Sequence, residues 1–209
     1  FKRAQIANDA NADLFISIHC DAHNSNAYGA GTFVLGLHAN DRNFQIAKKE
    51  NSVIFLEDNY EQKYDGFDPN NPESVISLVL MQEEYLDQSI NAANFIQQSF
   101  VRNLNRKNRN VKQAGFIVLK YTYMPSVLVE TGFLTNSSEG AYLNSSKGQT
   151  NMADALAKAI INYRDNRNAS FQNTSLVEES NKVEKSNKLN EQLVFKVQIA
   201  ASKKKLDLK

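Results

Sequence analysis

From Leu14 to Ile18 the chain reads LFISI, a short apolar run with β-branched residues at Ile16 and Ile18, and it stops on His19. Such a run predicts a buried strand, and the polar residues that follow, from Cys20 to Asn26, predict a loop. Ahead of it, Phe1–Ala10 carries Ile6 and alanines at helical spacing. After the turn glycines Gly29 and Gly31, Thr32–Leu35 (TFVL) predicts a second strand. Two more are predicted at Phe116–Leu119 (FIVL) and Val127–Glu130 (VLVE). Between these pairs the period lengthens. Asp41–Glu57 has Phe44, Ala47, Val53 and Ile54 at helical spacing, and Asn59–Pro72 reads as a loop. Asn71-Pro72-Glu73 offers a cap, a first-turn proline and a carboxylate, as a helix start does. Val79, Leu86, Ile90, Ala93, Ile96, Phe100 and Leu104 then form one apolar stripe, which predicts a core-facing helix. Ser138–Leu143 predicts a short helix, and Asn151–Tyr163 an amphipathic one with Met152, Leu156, Ala159, Ile160 and Tyr163 on one side. Helices and strands in alternation predict an α/β fold: a central, mostly parallel sheet flanked by helices.

The pattern also divides the chain. Residues 1–164 form a first domain with a helical insertion at about 40–112. Residues 165–190 are rich in Asn, Ser, Glu and Lys and predict a flexible linker. Leu193–Ala201 (LVFKVQIAA) returns to strict alternation, so 191–209 read as the start of an incomplete second domain. The chain opens on Phe1 inside a helix and stops on Lys209 just after a new strand, so both ends are expected to be cut.

Composition narrows the function classes. Twenty-four Lys and Arg against 23 Asp and Glu give a net charge of +1 in 209 residues, which makes no electrostatic case for nucleic acid or an anionic membrane. No apolar run approaches the ~20 residues of a transmembrane segment. The single cysteine, Cys20, excludes an internal disulfide framework.

Candidate chemistry lies where strands end, since open α/β sheets build sites beyond the carboxyl ends of their strands. His19 ends one strand and Glu130 another. Neutral imidazole is a metal ligand, and a glutamate directly after VLV is costly to bury without a partner. The two residues form either one joint site or two separately satisfied polar groups. His23 is four residues from His19, but the segment is not helical, so it reads as a surface residue; His38 reads as a loop residue. Cys20 should point away from His19, as strand neighbours do.

Four ordered blocks resemble a known family. Arg3–Asn8 with Ala12–His19, then Gly115–Leu119, then Met124–Asn136 (MPSVLVETGFLTN), then Gln149–Tyr163 are similar to the zinc-dependent N-acetylmuramoyl-L-alanine amidases of bacterial cell-wall turnover. The resemblance implies an α/β fold with one Zn²⁺ at the strand ends. His19 would be a metal ligand and Glu130 the catalytic carboxylate. The family's two other ligands would lie upstream of Phe1, so this chain by itself is expected to be inactive. The implied reaction is cleavage of the amide between N-acetylmuramic acid and the L-alanine of the peptidoglycan stem peptide. It would take place in the periplasm, or in the cell envelope or outside the cell. An activator protein that engages the 40–112 insertion is a further implied partner, with Glu50–Pro72 as the lid it would move. Val194–Ser202 resembles the opening strand of a SPOR domain. Two alternatives stay open at this stage: a different zinc peptidase, and a non-catalytic wall-binding or activator-docking module.

Overall fold

A computed structural model describes residues 2–23, 25–37, 41–74, 76 and 83–184, with side chains through residue 169. The chain divides into two units, residues 1–167 and 168–209. The first opens with α1 (Lys2–Asp9), β1 (Phe15–Asp21) and β2 (Ala30–Leu35). Next come α2 (Asp41–Asn51), a 3₁₀ turn (Ser52–Leu56), the single turn α3 (Tyr60–Lys63) and the long helix α4 (Leu86–Leu104). Strand β3 (Asn108–Ala114), the turn α5 (Ile117–Lys120), β4 (Ser126–Phe133) and α6 (Ser137–Asn144) follow, and α7 spans Ser146–Glu184. Within the second unit, residues 168–184 are helical.

The four strands lie in the order β1-β4-β2-β3. β1 runs parallel to β4 and β2 parallel to β3, while β2 and β4 are antiparallel. The sheet is therefore mixed, with two of its three pairings parallel. β4 is buried along its whole length, and its period-two alternation supplies both cores. Val127 and Val129 pack with Val34, with Ala93, Ile96 and Phe100 of α4, and with Met152, Ala155 and Ala159 of α7. Leu128 packs on the other core with Phe33, Leu35, Ala47, Ile54, Tyr64, Phe67 and Phe116. The stripe read along α4 thus faces the core. Its helix ends where Asn105 takes a left-handed backbone (φ 51°) and the Arg106 N–H donates to the Phe100 carbonyl at 3.1 Å.

Three expectations change. FIVL is not a strand: Ile117–Lys120 makes one helical turn, because Phe116, Ile117 and Leu119 all pack into the second core. The strand lies instead at Asn108–Ala114, a polar edge whose outer side faces no other strand among the described residues, so it carries no apolar run. Gln97 of α4 pins it, donating to the Ala30 carbonyl and to Asn108 Oδ1 at 2.8 Å each while accepting from Thr32 Oγ1 at 3.0 Å. Third, the predicted flexible linker over 165–190 is helical through Glu184. No proline or glycine interrupts Gln149–Glu184, and its Ala, Leu, Gln, Glu and Lys residues favour helix. Residues 185–190, the SPOR-like strand in 191–209, Val79 and His38 lie outside the described residues.

Candidate metal and acid–base site

Strand pairing places His19 directly beside Glu130. The two apolar runs LFISI and VLV share one parallel ladder, so their polar ends arrive together. β1 runs two residues further than expected, to Asp21, with an irregularity between His19 and Asp21. The third member comes from α2. Glu50 Oε2 lies 3.0 Å from His19 Nδ1, and Ser17 Oγ lies 2.8 Å from Nε2. One ligand atom each from His19, Glu50 and Glu130 falls within 4.8 Å of the others.

The electrostatics of the two carboxylates differ. Glu130 is 4% exposed, and its Oε2 is buried with no hydrogen-bond partner among the described residues. Burial pushes its carboxyl up to about 8, helped by the negative charges of Asp21 and Glu50 and opposed by Lys49 and Lys112. Glu50 moves the other way: its hydrogen bond with His19 holds it below the usual range against the effect of burial, and Lys49 and Arg3 add to that. Asp21 sits beside Lys49, at 3.6 Å.

One imidazole and two carboxylates are a donor set that zinc accepts. An oxygen buried without a partner beside them is what a bound cation or a reacting proton would satisfy. The residues present fit a divalent metal.

The other sequence candidates lie apart. His23 is exposed and bonds Ser25 Oγ through Nδ1 at 2.8 Å. Cys20 contacts Thr131 Oγ1 at 3.1 Å rather than His19. Sequence reasoning gave Glu50 only as one of the lid carboxylates that could reach the metal position, and it singled out neither Asp21 nor Lys112. For Asp21 the signal was present, because His19 and Asp21 are two apart on an extended chain.

Buried Glu139 secures the loops around the site. Its Oε1 accepts from the Gly29 N–H and Arg106 Nη2 at 2.6 Å each, and its Oε2 accepts from the Phe133 N–H at 2.7 Å. The loops that follow β1 and β4 are thereby tied together beyond the strand ends.

Comparison with known proteins gives the family of the chain. A family model described as N-acetylmuramoyl-L-alanine amidase matches residues 1–162. The N-acetylmuramoyl-L-alanine amidase AmiA of Escherichia coli (strain K12) is 30% identical over 166 residues, which cover 78% of this chain and 56% of that protein. The N-acetylmuramoyl-L-alanine amidase LytC of Bacillus subtilis (strain 168) is 39% identical over 87 residues, 39% of this chain and 18% of the relative. The crystal structure of an N-acetylmuramoyl-L-alanine amidase from Clostridium difficile 630 shares the fold, with a TM-score of 0.53 at 23% identity over 78% of this chain and 64% of that one. This chain spans little more than half the length of AmiA. The matched region contains both strand ends that carry His19 and Glu130, and on that match the chain belongs to the N-acetylmuramoyl-L-alanine amidase family.

Proposed function

We propose that the protein to which this chain belongs is a zinc-dependent peptidoglycan amidase of the bacterial cell envelope or periplasm. It would cut the bond between the lactyl group of N-acetylmuramic acid and L-alanine. The observation that carries the reading is the buried carboxylate of Glu130, whose Oε2 has no hydrogen-bond partner among the described residues, held in register beside His19 within the matched family region.

In this reading His19 holds the metal. Zinc held there would supply Lewis acidity, making a water acidic near neutral pH and polarising the amide carbonyl. Glu130 does the proton work. Its Oε2 has no competing donor, so it is free to take a proton from the attacking water. Its raised pKa lets it give that proton to the amide nitrogen as the C–N bond breaks. Burial keeps bulk water from competing for the carboxylate.

Glu50 adds control. With its carboxylate against His19, α2 stands over the site, and the segment closes it until an activator draws it aside. Within Glu50–Pro72, the side chains of Ile54, Tyr64 and Phe67 pack into the second core. The segment is therefore anchored as well as poised over the site.

The metal assignment has a direct test. The folded His19→Ala protein, dialysed and analysed by atomic emission, should lose bound zinc and with it the release of stem peptides from purified sacculi. Zinc retained at the parent stoichiometry would remove His19 as a ligand.

A further inference from the structure

A cavity of about 790 Å³ opens beyond the strand ends, and none of His19, Glu50 and Glu130 lines it. Its walls include Tyr28, Asn105, Arg106, Glu139, Tyr142 and Asn151. That volume lies within the range of small-ligand sites. Its place in the fold ties it to the reacting carboxylate. Arg106 Nη2 donates to the carbonyl of Thr131, the residue after Glu130, at 3.3 Å. Tyr28 stands three residues before Gly31, which pairs with Glu130. The cavity therefore flanks Glu130 on the β2 side of β4, while His19 flanks it on the β1 side.

The lining is polar and balanced in charge. Arg106 and Glu139 are the lining residues that carry charge, and they pair with each other at 2.6 Å. Lys107 is turned onto the Tyr28 ring, its Nζ 4.4 Å from the ring centre, and Arg106 Cζ lies 5.3 Å from the centre of the Tyr142 ring. Both tyrosines are thus propped from one side. The hydrogen-bonding groups left over are neutral. The side chains of Asn105, Ser138 and Asn151 and the hydroxyls of Tyr28 and Tyr142 make no hydrogen bond among the described residues. A carboxamide offers two donors and an acceptor, and a tyrosine joins an apolar ring to a hydroxyl. Such a set suits a neutral ring that presents hydroxyls, an amide and apolar C–H faces.

We propose that this cavity is a glycan subsite that binds an N-acetylated sugar of the strand next to the N-acetylmuramic acid whose amide is cut. The proposal rests on the amidase reading of the neighbouring site. Stem peptides carry charged carboxylates and amines, whereas the glycan strand is neutral where its lactyl groups are amidated, and the cavity has no unpaired charge among its described lining residues to meet a charged ligand. Six extended residues span at most about 22 Å, which bounds the distance from Glu130 to Asn136 on the cavity wall. A strand of linked sugar rings crosses such a distance while one lactyl group stays at Glu130.

The test is calorimetric binding to the full-length protein. The probes are N-acetylchitotetraose, a neutral N-acetylated tetrasaccharide without peptide, and L-alanyl-D-glutamate, a charged peptide without sugar. The variant carries Asn105→Gly, which suits the left-handed backbone there (φ 51°), together with Asn151→Ala, which suits helix α7. Circular dichroism confirms its fold. The tetrasaccharide should bind the parent and bind the variant about tenfold or more weakly, the scale of two lost hydrogen bonds, with dipeptide binding unchanged. No binding of the tetrasaccharide to the parent, or an affinity that survives both substitutions, overturns the subsite. A loss confined to the dipeptide also overturns it, in favour of a peptide site. Stem-peptide release from purified sacculi by the parent is assayed separately. Absence of release beside tetrasaccharide binding that the two substitutions weaken would overturn the amidase reading and leave the glycan subsite standing.

Discussion

Burial moves Glu130 and Lys112 in opposite directions, the carboxyl up to about 8 and the amine down to about 8. In both cases the neutral form is favoured because low-dielectric surroundings solvate charge poorly. For Lys112 the consequence can be followed with pH. Its folded pKa lies below the ordinary 10.5, so the folded state binds fewer protons than the unfolded chain between about 8 and 10.5. The ammonium therefore destabilises the fold below pH 8, and that cost is relieved as pH rises through this window. Lys112→Met should unfold at a higher temperature than the parent at pH 7, with the gap narrowing toward pH 10.5. A gap that does not change with pH would mean that the amine is not perturbed. Lys112 was not legible in the sequence, because one lysine in NRNVKQA looks like any exposed residue until its strand is placed against Gly31. His19 and Glu130 were legible because each interrupts an apolar run at the point where burial must end or be compensated.

At the scale of elements, apolar periodicity located α4 and β4, whose buried faces repeat at helical and strand spacing. It failed at β3 and α5. An edge strand held by Gln97 needs little apolar surface, and a single helical turn buried on several sides looks like a strand. Glu50–Pro72 was expected to be a movable lid, whereas its anchorage rests on three scattered residues, Ile54, Tyr64 and Phe67. Deleting it would open the second core and confuse lid loss with unfolding, so a single substitution tests its role better. Glu50→Gln keeps the shape and removes the charge that meets His19. If Glu50 holds the site closed, the full-length variant should release dye from labelled sacculi faster than the parent without an activator. A bias of about 3 kcal/mol toward the closed state would make the rise roughly two decades. A folded variant no faster than the parent would show that this contact does not gate the site.

For the whole molecule, the account is one of convergence. Parallel pairing of β1 with β4 brings the polar ends of two buried strands together, α2 delivers Glu50 over them, and the Glu139 clip ties the flanking loops. The family match spans the residues that build this arrangement. The central claim is that Glu130 performs the proton transfers of amide cleavage. Its most direct test compares the full-length parent with Glu130→Gln on purified sacculi, using mass spectrometry to quantify peptides with a free L-alanine amino terminus and metal analysis to follow zinc. The account predicts that zinc stays bound while peptide release falls by ~10²–10⁴, the span general acid–base catalysis supplies. Near-parental release by a folded, zinc-loaded Glu130→Gln protein would contradict it.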